Sequence, residues 1–397
     1  MKKIYSILLI ITFVAIFFAG GILTFIQKDE EISKLENRKL AMPPVVTKEK
    51  LIEGTVFSEF DEYIKDQFIY RGKWIKANSK LNTMLNKKKY VDVVVGKDGY
   101  LLSFNGFKHH LDEEKLVTDV DSVATSITDL NNKIQDQGGK LLITGLPGQS
   151  YINSDKYEKY FESMGEFYTL QDKLYFGKLN DVGIKNINMK DVFNNYNENL
   201  YYKTDHHYNF KGAYLTYSEI INSVRDMGYK VREPYKLEEL NPVKINKPFH
   251  GSWGAKMNYL FPNDDFVEIP NPKFTVPKYE KIANGNKDNR LYYFNKTDEA
   301  SSYAAYMNGD NKEVKITTDR KELPKVLIFG DSFTNGIEPL LWMHFNETRI
   351  LDLRYYKDKN LYKYIEEYKP DLVIYVLSSS VYTYQGANNN FKGDLKD

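Results

Sequence analysis

Three apolar runs constrain the fold of this chain more than any other feature: Lys140-Leu141-Leu142-Ile143-Thr144, Val326-Leu327-Ile328-Phe329 and Leu372-Val373-Ile374-Tyr375-Val376-Leu377. Runs this short, apolar at successive positions and rich in β-branched side chains, read as strands buried on both faces. Helical spacing lies between such runs. Leu116, Val120, Val123, Ile127, Leu130 and Ile134 recur at spacings of four and three, and Gly138-Gly139 stops that helix. The stretch 161–179 predicts a second helix, 183–189 a strand, 213–224 a helix N-capped by Asn209, 349–354 a strand and 361–368 a short helix. Strands alternating with helices require a mostly parallel sheet covered on both faces, an α/β three-layer sandwich.

The run 326–329 ends at Gly330-Asp331-Ser332, and a helix is expected from Glu338 to Phe345. The turn thus presents a serine hydroxyl at the carboxyl end of a strand, where open α/β sheets keep their sites. Turn amides and a helix N-terminus can stabilise an oxyanion there. Asp331 reads as a brace of that turn. A serine needs a base to act as a nucleophile. Of the six histidines, His207 has the most suggestive context, in Tyr201-Tyr202-Lys203-Thr204-Asp205-His206-His207-Tyr208-Asn209. Asp205 and His207, two apart, share a face if the backbone is extended, and His206 then points away as a structural residue. Asp205 would orient His207 while its other nitrogen takes the Ser332 proton, the triad logic in general form. Asp205-His206-His207 also suggests a Mn or Zn cluster. Metal sites need further ligands at suitable spacing, and none is evident, so no metal or cofactor is expected.

Asp-His-His-Tyr-Asn followed much later by Ile-Phe-Gly-Asp-Ser-Phe resembles the DHHW proteins, which belong with the alginate O-acetyltransferase AlgX/AlgJ group of SGNH-hydrolase-like proteins. There, too, the Asp-x-His precedes the serine. The resemblance extends to residues 36–41, 94–101 and 368–373. Tyr208 stands where the family name has Trp, and Gly148-Gln149-Ser150 where relatives often carry a lysine. The resemblance implies an SGNH-hydrolase-like fold and a triad of Ser332, His207 and Asp205. It implies acetyl transfer to an extracellular polysaccharide through an acyl-serine. It also implies a membrane-bound O-acyltransferase as acetyl supplier, and a late tyrosine near the oxyanion, matched here to Tyr382. An acetyl esterase using the same triad and a non-catalytic scaffold of a polysaccharide complex remain open alternatives.

Further candidates follow from position alone. Gln149 leaves the strand 140–144 in a loop facing the cleft, and Arg354 ends its own strand at the rim, where a plain ion pair is the competing reading. Trp253, in Phe249-His250-Gly251-Ser252-Trp253-Gly254, can stack on a sugar or close a satellite core. His109 and His110 read as surface residues. Residues 234–320 lack a sustained period and read as an insertion of short strands and loops.

The chain has 397 residues and no cysteine, which excludes disulfides, zinc–thiolate sites and cysteine nucleophiles. A formal net charge of +1 gives no electrostatic case for nucleic acid. Lys2-Lys3 precede an apolar run from Ile4 to Ile26, about the ~20 residues that cross a bilayer. Its length favours an uncleaved single-pass anchor over a signal peptide, with the catalytic domain outside the cell membrane. The expected organisation is therefore an anchor over 1–26, a polar stem over 27–48, and an extracellular domain over 49–397. A helix is predicted over 49–88, then strands at 91–95 and 100–102 joined by a turn at 96–99.

Overall fold

A computed structural model describes residues 2–33, 38–106, 112–259, 261–294 and 300–393. His109 and His110 lie outside the described residues. The chain divides into two compact units, one formed by Met1–Val91 with Gly254–Pro262 and the other by Asp92–Trp253 with Asn263–Asp397. The division falls elsewhere than at residue 49.

The first unit is helical. Helix α1 (Lys2–Ile26) is long and apolar enough to cross a membrane or to serve as a signal sequence. The stretch expected as one helix forms three, α2 (Lys48–Glu53), α3 (Thr55–Gln67) and α4 (Arg71–Met84). The breaks sit at Gly54 and Tyr70, whose φ values of 76° and 55° leave the helical region. Within the stretch expected as a free polar stem over 27–48, Glu30 and Ala41 are tied to the end of α3. The Gln67 side chain donates to the carbonyls of Glu30 (2.9 Å) and Ala41 (3.0 Å) and accepts from the Glu30 amide (3.0 Å).

The second unit opens on a hairpin, β1 (Val93–Val95) and β2 (Leu101–Ser103), turned by Lys97–Gly99 as expected. Helix α5 (Glu113–Asp136) follows, N-capped by Asp112. Then come β3 (Lys140–Leu146), α6 (Gly165–Asp181), β4 (Lys185–Asn188) and α7 (Phe210–Asp226). Asn209 caps α7, its side chain accepting from the amides of Lys211 and Gly212. Next are β5 (Glu280–Ala283), β6 (Asn286–Lys287), β7 (Glu313–Thr317), β8 (Lys325–Gly330) and β9 (Glu347–Leu351). Helix α8 (Leu361–Tyr368) and β10 (Leu372–Ser378) complete the main elements.

Eight strands form one mixed sheet in the order β6-β5-β7-β9-β8-β10-β3-β4. The five from β9 to β4 are parallel, with Val326 paired to both Thr348 and Leu372, and Leu372 to Lys140. The chain moves from β8 outward to β9, then back across β8 to β10. This reversal puts the carboxyl end of β8 at a topological switch point, the usual location of a site in such sheets.

Period-two alternation distributes the core. Leu142, Val326, Ile328, Leu372 and Ile374 pack against Ala213, Tyr217, Ile220 and Val224 of α7. Leu141, Ile143, Leu327, Phe329 and Val373 pack on the other face against α5, α6 and α8. Each such side chain contributes on the order of 1.5–3 kcal/mol by leaving water.

Two expectations need correction. The stretch 234–320 is not wholly an insertion beside the sheet. Its strands β5, β6 and β7 build the sheet's antiparallel edge, while 254–262 belongs to the first unit. After Ser332 the chain forms a 3-10 turn (Ser332–Gly336), one α-turn (Glu338–Leu341) and another 3-10 turn (Trp342–His344), not one helix.

Candidate active site

Gly330 ends β8 where the chain crosses the end of β10. A Cβ there would lie 1.9 Å from the Val376 carbonyl oxygen, so a side chain would close off this exit. Asp331 then fixes the turn. One carboxylate oxygen accepts from the Phe333 amide (3.0 Å), the other from the Ser378 amide at the end of β10 (2.9 Å). Burial raises the Asp331 pKa, and those amides oppose the shift. Ser332 follows, partly exposed, as the first residue of the 3-10 turn. The Tyr208 hydroxyl donates to the Phe333 carbonyl from below, so the aromatic at the family's Trp position supports the serine turn.

The second half of the site is a closed loop. A bridge between Tyr201 and Tyr208 pinches it, and the Tyr202 amide donates to the His207 carbonyl (3.2 Å). Asp265 accepts from the amides of Lys203 (2.9 Å) and Thr204 (2.8 Å) and from the Thr204 hydroxyl (2.7 Å). Gly251 packs directly on this loop; a Cβ there would sit 2.2 Å from the Thr204 carbonyl oxygen. The loop is not extended backbone. Asp205 and His207 come together because Asp205 Oδ1 accepts from the His207 amide (3.0 Å), as in an Asx-turn. His206 accordingly does not point away. Its ring lies beside that of His207, centroids 3.8 Å apart, with Nδ1 2.8 Å from the Ser252 hydroxyl.

These pieces meet in one line of hydrogen bonds. His207 Nδ1 is 2.7 Å from Asp205 Oδ1, and His207 Nε2 is 2.7 Å from Ser332 Oγ. Asp205 Oδ2 accepts from the Ser252 amide at 2.6 Å. Burial alone would raise the Asp205 pKa. The contacts with His207 and the Ser252 amide outweigh it and hold the carboxyl below the usual carboxylate range. An ionised Asp205 can only accept, so Nδ1 carries the ring hydrogen and Nε2 is left to accept the serine proton. The imidazole is clamped by Tyr303, stacked at 3.8 Å and 4°.

Asp205, His206 and His207 offer ligand atoms within 4.8 Å of one another. Both nitrogens of His207 and both oxygens of Asp205 are engaged by protein groups, so a cation there would have to break the line to Ser332.

The other expected site residues divide. Trp253 is half-buried with its ring 5.5 Å from that of His206. The satellite core nearby is closed by Phe249, stacked on Tyr202 at 4.2 Å. Gln149 does not face the cleft. It is buried, donates to the carbonyls of Leu101 (3.0 Å) and Tyr202 (2.9 Å), and accepts from Trp253 Nε1 (3.0 Å), which makes it a brace of the loop. Arg354 is the ion pair of the competing reading, forked on Asp352 (2.9 and 2.6 Å) and reaching Asp310 (3.1 Å). It bears on the serine turn through Asp310, which accepts from Asn335, and through its charge, which favours ionised Asp331. Tyr382 is buried in the core, stacked on Tyr175 at 4.6 Å with its hydroxyl against Gly145, not at the serine. Sequence reasoning missed Ser252, Asp265 and Tyr303. Ser252 lay inside a segment singled out for its tryptophan; Tyr303 has no local signal at all.

Comparisons with known proteins bear on the fold. Residues 93–251 match the family model described as SGNH hydrolase-like domain, acetyltransferase AlgX. That span holds Asp205 and His207; Ser332 lies beyond it. No curated protein matches the chain. Among solved structures, PatB1 of Bacillus cereus with a sulfonyl adduct is similar at 22% identity and TM-score 0.62, covering 76% of this chain and 98% of that one. A DHHW family protein from Eubacterium siraeum is similar at 19% identity and TM-score 0.55, covering 73% and 91%. At these identities the likeness is one of fold, and the fold is SGNH-hydrolase-like.

Proposed function

We propose, for a chain that carries an SGNH hydrolase-like domain of the acetyltransferase AlgX kind, that it is a serine-dependent O-acetyltransferase acting on a cell-surface or secreted polysaccharide. The observation that carries this reading is the continuous line Asp205–His207–Ser332, with both links at 2.7 Å. In the first half-reaction Ser332 Oγ attacks the acyl carbonyl of a donor ester while His207 Nε2 takes the serine proton. The Ser332 amide would stabilise the developing oxyanion. The neighbouring amides of Phe333 and Thr334 are already engaged by Asp331. Collapse passes the proton from His207 to the leaving alkoxide and leaves an acyl-serine. In the second half His207 deprotonates an acceptor hydroxyl, which attacks the acyl-serine. The product ester departs, and Ser332 recovers its proton from His207. Asp205 keeps the ring oriented throughout.

A sugar hydroxyl as acceptor gives the transferase; water gives an acetyl esterase. The family match favours transfer. Helix α1 supports tethering to the cell membrane with the site outside, and a membrane-bound O-acyltransferase would supply the acetyl group. Trp253, whose ring lies beside that of His206, would pack against a sugar ring of the acceptor in this reading.

The test uses full-length protein in detergent and an activated acetyl ester. Expected are a Ser332-dependent release of acetyl that survives a chelator, and acetyl appearing on an added glycan. A sulfonyl fluoride should add mass to the wild type and not to Ser332→Ala. Unchanged acetyl release in Ser332→Ala would remove the nucleophile assignment.

A further inference from the structure

Between Arg71 and Lys89 the chain carries seven basic residues (Arg71, Lys73, Lys76, Lys80, Lys87, Lys88 and Lys89) and no acidic one, in a protein whose net charge is only +1. Most of this stretch is α4. At 100° per residue, Trp74, Ala77, Leu81, Met84 and Leu85 fall in an arc of about 100°, and Lys73, Lys76 and Lys80 fill the adjoining arc of about 60°. Ile75 and Ser79 face the other way. Ser79 is buried, and its hydroxyl accepts from Asn258 Nδ2 (2.8 Å), so that side is the one turned into the unit. The apolar arc is open. Trp74 is 62% exposed, Leu81 53%, Met84 75% and Leu85 70%. The lysines beside it are exposed as well.

An outer surface that joins a Trp/Leu/Met stripe to a lysine ridge can seat its stripe at a lipid interface while the ridge meets anionic headgroups. The occupant follows from what α4 is attached to. The carboxyl end of the apolar helix α1 is fastened to the entry of α4. The Thr24 hydroxyl accepts from the Ile69 amide (3.0 Å), the Gln27 side chain donates to the Gln67 carbonyl, and Phe25 stacks with Phe60 (6.2 Å). If α1 spans a bilayer, α4 starts at the level where α1 leaves it, with exposed Phe68 and Tyr70 between them.

We propose that α4 lies on an anionic lipid surface, with Trp74, Leu81, Met84 and Leu85 in the headgroup–acyl boundary and Lys73, Lys76 and Lys80 against lipid phosphates. This rests on the reading of α1 as an anchor. Polybasic segments beside a membrane gain from anionic lipid, and salt weakens that gain.

The native chain lacks cysteine, so single-cysteine variants of the full-length protein can carry an environment-sensitive dye without further changes. One dye goes at Ile10→Cys in α1, another at Leu81→Cys in α4. Each is read in phosphatidylcholine vesicles with and without phosphatidylglycerol, using spin labels near the headgroup or deep in the acyl chains. The expected result is deep quenching at position 10 in both lipids. At position 81, shallow quenching and a blue shift should appear with phosphatidylglycerol and be lost on adding salt or in Lys73→Glu/Lys76→Glu/Lys80→Glu. Deep quenching at position 10 with none at position 81 overturns the proposal and leaves the anchor standing. No quenching at position 10 overturns the anchor and the proposal with it. A blue shift at position 81 caused by soluble polyphosphate but not by anionic vesicles assigns the ridge to a polyanion and overturns the lipid reading.

Discussion

His207 is held at four points: Asp205 at one nitrogen, Ser332 at the other, and the rings of Tyr303 and His206 against its faces. The stack with Tyr303 is a positioning contact, because Tyr303 touches neither Ser332 Oγ nor the reacting carbonyl in the proposed step. An aromatic pair contributes about 0.5–1.5 kcal/mol beyond its burial. Tyr303→Leu is therefore expected to lower kcat about three- to tenfold with KM little changed. Tyr303→Phe, which keeps the ring, should retain wild-type kcat. Steady-state kinetics on an activated ester checks both. Asp205 and His207 were legible in the sequence because their spacing is local. The reason they meet was not: an Asx-turn, rather than extended backbone, brings them together, and that depends on Asp265 and Gly251 holding the loop from far along the chain. Gln149 and Arg354 were expected at the site from their positions at strand ends, and Tyr382 from the family resemblance. Position at a strand end does not say whether a side chain turns inward, and all three turned to buried or ionic partners instead.

The element on which the chemistry depends is the passage from β8 into its turn. Gly330→Ala would force a Cβ against the Val376 carbonyl oxygen, which belongs to a strand that cannot retreat without breaking its pairing with β3. A loss of about 3 kcal/mol or more is expected, read by denaturant unfolding. Glu338, at the start of the α-turn that follows, is buried, and its side chain accepts from the Thr334 hydroxyl. Burial lifts its pKa to about 7, opposed by Thr334. The unfolded carboxyl titrates near ~4.3, so between that pH and about 7 the native state holds a proton that the unfolded state has lost. Stability should fall as pH rises through this window. Glu338→Gln keeps the acceptor and cannot ionise. It should match the wild type near ~pH 4 and exceed it by on the order of 2 kcal/mol near ~pH 8. Equal melting curves at both pH values would contradict the burial of an ionising group there. The sequence predicted one helix over 338–345. The chain forms three short turns instead, which is how Glu338 and Trp342 both become buried.

Over the whole molecule, the strands buried on both faces were readable, because a continuous apolar run has few other solutions. The antiparallel edge was not. Strands β5 and β6 carry Glu280, Lys281, Asn286 and Lys287, and their pairing is set by partners outside the segment. Lys281 is fully buried, satisfied by the carbonyls of Asp288 (3.0 Å) and Arg290 (2.8 Å) and by the Tyr293 hydroxyl (2.9 Å). The unit boundary was equally hidden, because residues 254–262 group with the N-terminal helices. A chain begun at residue 92 would leave that loop without its partners. It is expected to aggregate and melt lower than the full-length protein, and replacing 254–262 with a short Gly/Ser linker should restore soluble yield. The same excursion bears on inheritance. A domain that leaves itself and comes back cannot be moved to another gene by a single crossover at its start. The N-terminal helices and the sheet must be carried together or redesigned together, so the partner of this hydrolase-like fold is written into its middle as well as its beginning.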